Sequence, residues 1–139
     1  MASRPNSTAA LVFRHRFLFI KCLLLLFAVR FTLSTRGYKT VLGWIETAQP
    51  SRRRALSPQL LTWTIETAAR FIPGASCLTR ALALRYLLAQ AAVDACIEIG
   101  VRTTESGTFK AHAWVKTNDG LITNDTPDNI ARYKVIAAL

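Results

Sequence analysis

The sequence predicts an α+β fold, a run of helices followed by a small antiparallel sheet, and three observations carry that prediction. From Ser57 to Ala91, apolar residues recur at three- and four-residue steps, the pattern of helices with one buried face. From Ala95 to Arg102, and again from Phe109 to Lys116, the period changes to two, the pattern of strands with one dry face. Asn118-Asp119-Gly120 then reads as a hairpin turn, with Leu121-Ile122-Thr123-Asn124 returning as a third strand. The length of 139 residues suits a single folding unit that buries roughly two-thirds of its unfolded surface. Two regions are expected: a helical stretch with a basic linker over 1–55, and a mixed core over 56–139.

In the first region, Met1 to Thr8 is polar and reads as a frayed terminus. Strong helix formers fill Ala9 to Leu33, and the run from Cys22 to Val29 is apolar on every side. As helix, that run covers only about 12 Å of the ~30 Å hydrocarbon core of a bilayer. Extending it to Phe17–Leu33 brings in Lys21 and Arg30, and Lys21 with the Ala28-Val29-Arg30 exit fits a signal peptide poorly. A helix packed on the protein or a partner is the preferred reading. Peripheral membrane contact through 9–33 comes second, and a span or signal third. Arg36 to Gln49 carries a weaker helical pattern, with Val41, Leu42 and Ile45 as its apolar stripe. Pro50-Ser51 followed by Arg52-Arg53-Arg54 breaks it and reads as a solvated linker.

Charge and cysteine content narrow the function classes. The net charge of +10 favours an acidic partner, but no nucleic-acid reader motif accompanies it, so nucleic acid is not expected. Three cysteines with no C-x-x-C spacing support neither a disulfide framework nor a zinc site. The expected setting is the cytoplasm, with membrane association as the variant, and neither metal nor cofactor is expected.

In the second region, Ser57-Pro58 starts a helix, with Ser as cap and Pro at the first helical position. Leu60, Leu61, Thr64, Ile65 and Ala68 form its buried face. Trp63 lies beside that face, as core filler or as the lining of a site. Pro73-Gly74 stops the chain, and Ser76 caps a new helix with Cys77 at its first position. Ala81, Leu84, Leu88 and Ala91 continue from Cys77, so a small buried hydrophobe is one reading of the thiol. The other is chemical. First-turn N–H groups and the helix dipole favour an anion, so a thiol there loses its proton more easily.

The strands supply what such a thiol would need. His112 shares a face with Lys110, Trp114 and Lys116, away from the apolar stripe of Ala111, Ala113 and Val115. It therefore does not read as a satisfied core residue, whereas Cys96, in mid-strand, reads as structural. A His on a strand could hold a thiolate as an ion pair, with a carboxylate or amide orienting the imidazole. Register decides which. A two-residue turn at 119–120 pairs Trp114 with Asp125, a four-residue loop sets His112 opposite Asp125, and a three-residue loop brings Asn124 onto the His112 face. Asp-Gly favours the two-residue turn, so Asp125 is the expected orienting residue and Asn124 the alternative.

The block from Pro73 to Ala83, then Ile99-Gly100-Val101, Ala111-His112-Ala113-Trp114-Val115 and Asn124-Asp125, together resemble one family. It is the transglutaminase-like cysteine proteases of lasso-peptide biosynthesis, the B proteins, and the resemblance covers about residues 56–136. It implies a papain/transglutaminase-like core in which Cys77 is the nucleophile, His112 its base and Asp125 the third member. The implied activity is removal of the leader from a ribosomally made precursor peptide, before a separate asparagine-synthetase-like cyclase closes the macrolactam. The implied partners are that cyclase and a PqqD-like leader-binding protein. Transglutaminase-type amide transfer and a non-catalytic scaffold in the maturation complex are the alternatives. The Cys77 N–H would supply one oxyanion donor and the Trp63 indole a second, with Trp114 as a further lining residue. The chain departs from the family pattern in three ways. No leader-binding module is expected in residues 1–55, the exit Ala91-Ala92-Val93-Asp94 lacks a Gly, and the 118–120 turn is one residue longer than usual.

Overall fold

In the computed structural model, which describes residues 16–48, 57–118, 122–123 and 126–139, three helices gather around a fourth that packs on a four-stranded sheet. The expected terminus at 1–8, the first residues of the Ala9–Leu33 helix and the Arg52-Arg53-Arg54 linker lie outside the described residues. Helix α1 spans Arg16–Thr35 and α2 spans Tyr38–Thr47, with Val41 and Ile45 buried as their spacing requires. Helix α3, Pro58–Ala69, starts as its sequence dictates: Ser57 Oγ accepts from the Leu60 N–H at 3.1 Å, and Pro58 needs no partner there. Its buried Thr64 donates to the Leu60 carbonyl at 2.8 Å, which satisfies that hydroxyl inside the core.

Helix α4, Cys77–Gln90, runs through the middle of the protein and buries Ala81, Leu84, Leu87 and Leu88. Its exit has no glycine, yet it closes as a Schellman motif. The Val93 N–H reaches the Leu88 carbonyl at 2.8 Å and the Ala92 N–H the Ala89 carbonyl at 3.1 Å. Ala92 holds the left-handed conformation this closure needs, at φ 58°. It is the one non-glycine residue with positive φ among those described.

Strands β1 (Ala95–Thr103) and β2 (Phe109–Thr117) pair antiparallel, with Gly100 opposite His112 and Glu98 opposite Trp114. The sheet order is β3-β2-β1-β4, where β3 is Ile122–Thr123 and β4 is Lys134–Ala138. A four-residue helix, α5 (Pro127–Ile130), joins the last two strands. Strand β4 was not expected. Its few residues have no clean alternation because a bulge interrupts it: Ile99 pairs with Ala137 but Gly100 with Val135, leaving Ile136 extra.

The β2–β3 register corrects one expectation. A two-residue turn at 119–120 would pair Lys116 with Thr123, whereas Lys116 pairs with Ile122 and Val115 with Thr123. That is the register of a three-residue connection. Asp-Gly preference is a local bias, and pairing in the assembled sheet overrides it.

The core joins the two layers. Leu84 and Leu88 of α4 share one buried cluster with Ile97, Ala113 and Val115 of the sheet, and Leu26 and Val29 of α1 with Leu61 and Ile65 of α3 join it from the helix side. The odd-numbered face of β2 therefore meets the helices and the even-numbered face points away. The strained helix exit yields a test. Ala92→Gly should raise the stability by about 0.5–1 kcal/mol, seen as a higher urea midpoint, because Gly adopts positive φ without a Cβ clash. An unchanged or lower midpoint would contradict the left-handed closure.

Candidate active site

The start of α4 builds the environment of Cys77. Ser76 is the N-cap, its Oγ accepting from the Thr79 N–H at 3.2 Å, and the Arg80 N–H bonds the Ser76 carbonyl at 3.0 Å. Cys77 is thus the first helical residue, half-buried, with its inner side against the core. The preceding turn contains Gly74 at φ 75°. A Cβ there would lie 2.9 Å from the Arg30 guanidinium, so α1 packs directly on the turn that delivers the thiol. One turn into α4, Arg80 pairs with Glu66 of α3 at 2.7 Å. Both side chains are partly solvated, so the pair contributes at most about 1 kcal/mol and mainly fixes the two helices' relative position.

The other thiols are in different settings. Cys22 is sealed in the core, and burial pushes its thiol up to about 12 despite the opposing charge of Lys21. Cys96 is half-buried at the second residue of β1. Cys77 alone of the three joins partial exposure to a helix start.

His112 sits in a ring cluster on the even-numbered face of the sheet. Its ring centroid is 5.9 Å from Trp114 and 5.4 Å from Tyr133, and those two rings are 6.0 Å apart. Trp114 is fully buried, and its indole N–H donates to Glu98 at 3.0 Å, so Glu98 rather than a substrate uses that donor. The Arg102 guanidinium lies 5.4 Å from the Tyr133 centroid. Gly100 is the floor: a Cβ there would meet Trp114 Cη2 at 2.6 Å and Tyr133 Cβ at 2.8 Å. Glu98 and Gly100 could have been found from the alternation that placed His112. Tyr133 could not, because nothing in its local sequence announces a return to the sheet.

The structure gathers His112, Trp114 and Tyr133 on the face of β2 away from the helix-packed core. Helix α4 rises about 20 Å over its 14 residues, and β1, running back beside it, covers that distance in about six residues. This puts Cys77 near the level of Val101 and its partner Ala111. Burial agrees: Ala113 is covered by the helix layer and Ala111 is exposed. Cys77 and His112 are therefore level along the sheet, but the thiol packs against the helix-side core while the imidazole lies on the opposite face of β2. Trp63 of α3 is half-buried, and its indole N–H meets no acceptor among the described residues. Asp125 and Asn124 lie outside the described residues.

A family model described as the transglutaminase-like superfamily matches residues 23–138. No curated protein and no solved structure matches the chain.

The floor of the ring cluster can be tested directly. Gly100→Ala should cost about 1–3 kcal/mol, because the rigid Trp114 ring has to move, and near-UV circular dichroism should report the displaced indole. Gly43→Ala, in α2 with nothing near its would-be Cβ, should instead stabilise by up to ~1 kcal/mol. Equal effects at the two glycines would show that the close approach at Gly100 is not real.

Proposed function

The chain belongs to the transglutaminase-like superfamily, and from that premise we propose that it is a cysteine peptidase that removes the leader from a lasso-peptide precursor. The observation that carries this reading is the Cys77 thiol: capped in by Ser76, first in α4 and half-exposed, while Cys22 is sealed away. In the proposed reaction the Cys77 thiolate attacks the carbonyl carbon at the leader–core junction. The tetrahedral intermediate collapses to a thioester, and the leaving amine takes a proton from His112. Water then hydrolyses the thioester, releasing the leader carboxylate and restoring the thiol. The Cys77 N–H and the Trp63 indole N–H are the proposed oxyanion donors. An orienting residue on the third strand, Asp125 or Asn124, would hold the imidazole. Leader capture by a PqqD-like protein and transfer of the core to an asparagine-synthetase-like cyclase complete the reading.

One observation favours a second reading. His112 is engaged with Trp114 and Tyr133 on the face of β2 away from α4. A non-catalytic scaffold that holds precursor and cyclase together would need no thiol–imidazole pair. For the peptidase, His112 must reach Cys77 at the end of the sheet where α4 begins.

The test is cleavage of a lasso-peptide precursor, with a PqqD-like protein present and products weighed by mass spectrometry. Cys77→Ala should abolish cleavage, and His112→Ala should lower the rate on the order of a hundredfold or more, by analogy with the serine triad. Cys22→Ala and Cys96→Ala should still cleave. A product carrying an added amine in place of water would mean amide transfer. Cleavage that survives Cys77→Ala would overturn the assignment, and wild-type chain that binds precursor without cutting it would favour the scaffold.

A further inference from the structure

The surface of α1 carries an apolar stripe that the proposed peptidase reaction does not use. Phe17, Ile20, Leu24, Phe27 and Phe31 are 50% to 76% exposed, in a helix whose Cys22, Leu26, Val29 and Thr32 are buried. Their spacing is three, four, three, four. At 100° per residue they fall within an arc of about 80°, roughly opposite the buried face, and along the axis they span about 21 Å. Helix α1 is thus apolar on two sides, one filling the core and one turned outward. Phe71, also exposed, adjoins this region through its edge-on contact with Phe19 at 5.9 Å.

Charge identifies the occupant. By the same angular count, Arg16 and Arg30 flank the stripe on one side and Lys21 on the other. There is no Asp or Glu in α1. In the sequence, Arg4, Arg14, Arg16, Lys21, Arg30, Arg36 and Lys39 all precede the first carboxylate, Glu46. A second copy of the chain docked stripe to stripe would bring these cations together with no α1 carboxylate to offset them. An anionic lipid surface meets both features at once, taking the apolar stripe into the acyl boundary and the flanking cations at the headgroups. We propose that α1 lies flat on an anionic membrane surface through Phe17, Ile20, Leu24, Phe27 and Phe31, and so holds the enzyme there.

The same helix is long and apolar enough to cross a membrane by length and composition. Packing opposes that. Cys22, Leu26 and Val29 are completely buried against the rest of the core, and Lys21 donates to Gln90 of α4 at 2.6 Å. Insertion would strip those contacts from α4, whereas lying flat preserves them. An interfacial helix enters the headgroup region by only about 5–10 Å, which exposed side chains can reach without unpacking the buried ones.

The test is flotation of the purified full chain with vesicles, of phosphatidylcholine alone or mixed with phosphatidylglycerol, at low and high salt. Binding should require the anionic lipid, weaken in high salt, and be reversed by alkaline carbonate. The Leu24→Glu, Phe27→Glu double variant should bind about tenfold less or worse while melting as the wild type does, since both side chains are solvent-exposed. The lipid and salt comparisons stand without any variant. Equal binding to neutral vesicles, no binding at all, or carbonate-resistant insertion would overturn the proposal. So would a solution dimer, or a complex with an acidic protein, that the double variant breaks while vesicle binding persists. None of these outcomes depends on peptidase activity.

Discussion

The packing of α4 on the helix-facing side of β1 and β2 is the contact on which the remaining geometry depends. Ala81, Leu84 and Leu88 share one buried cluster with Ile97, Ala113 and Val115. Because side chains alternate along a strand, that one contact also fixes what lies on the far face. It sends Glu98, Gly100, His112 and Trp114 outward together, where Trp114 seats on Gly100 and is held by Glu98. It also fixes the level at which α4 begins, and with it the position of the half-exposed thiol. A one-residue slip of β2 would exchange the two faces and bury His112.

This constraint explains why the two candidate catalytic side chains are near in level yet apart in facing. A helix that packs on a sheet brings its first residue to the sheet's end, not to its middle. There the helix layer thins: Ala111 is exposed where Ala113 is covered. At that end an imidazole and a thiol have the shortest path around the strand. The ring cluster with Tyr133 is what the imidazole would have to loosen, and Tyr133 is delivered by the short α5–β4 return rather than by the central strands.

Much of this was legible in the sequence, and what was not has physical causes. The caps at Ser57 and Ser76 could be read because a hydroxyl that satisfies a first-turn N–H is a local interaction. The periods of three to four and of two gave α3, α4, β1 and β2 to within a few residues. Strand β4 escaped because a bulge breaks its period and its partner lies more than thirty residues away. The β2–β3 register escaped because turn preference is weak against pairing across an assembled sheet. The second apolar face of α1 was hidden for another reason: apolar residues on every side of a helix reveal burial or interaction, but not which side does which. The placement of Cys77 on the first turn was readable, and so was the position of His112 away from the apolar stripe of β2.

The pairing of Cys77 with His112 is what separates an activated nucleophile from a buried-edge cysteine, and alkylation kinetics measure it without any substrate. Full-length protein would be treated with iodoacetamide at mildly acidic pH, native and with His112→Ala, and the labelled cysteine located by peptide mass spectrometry. The expected result is labelling at Cys77 well ahead of Cys96, none at Cys22, and a rate at Cys77 about tenfold lower or worse without His112. Equal labelling of Cys77 and Cys96, or a Cys77 rate untouched by the loss of His112, would contradict the nucleophile assignment.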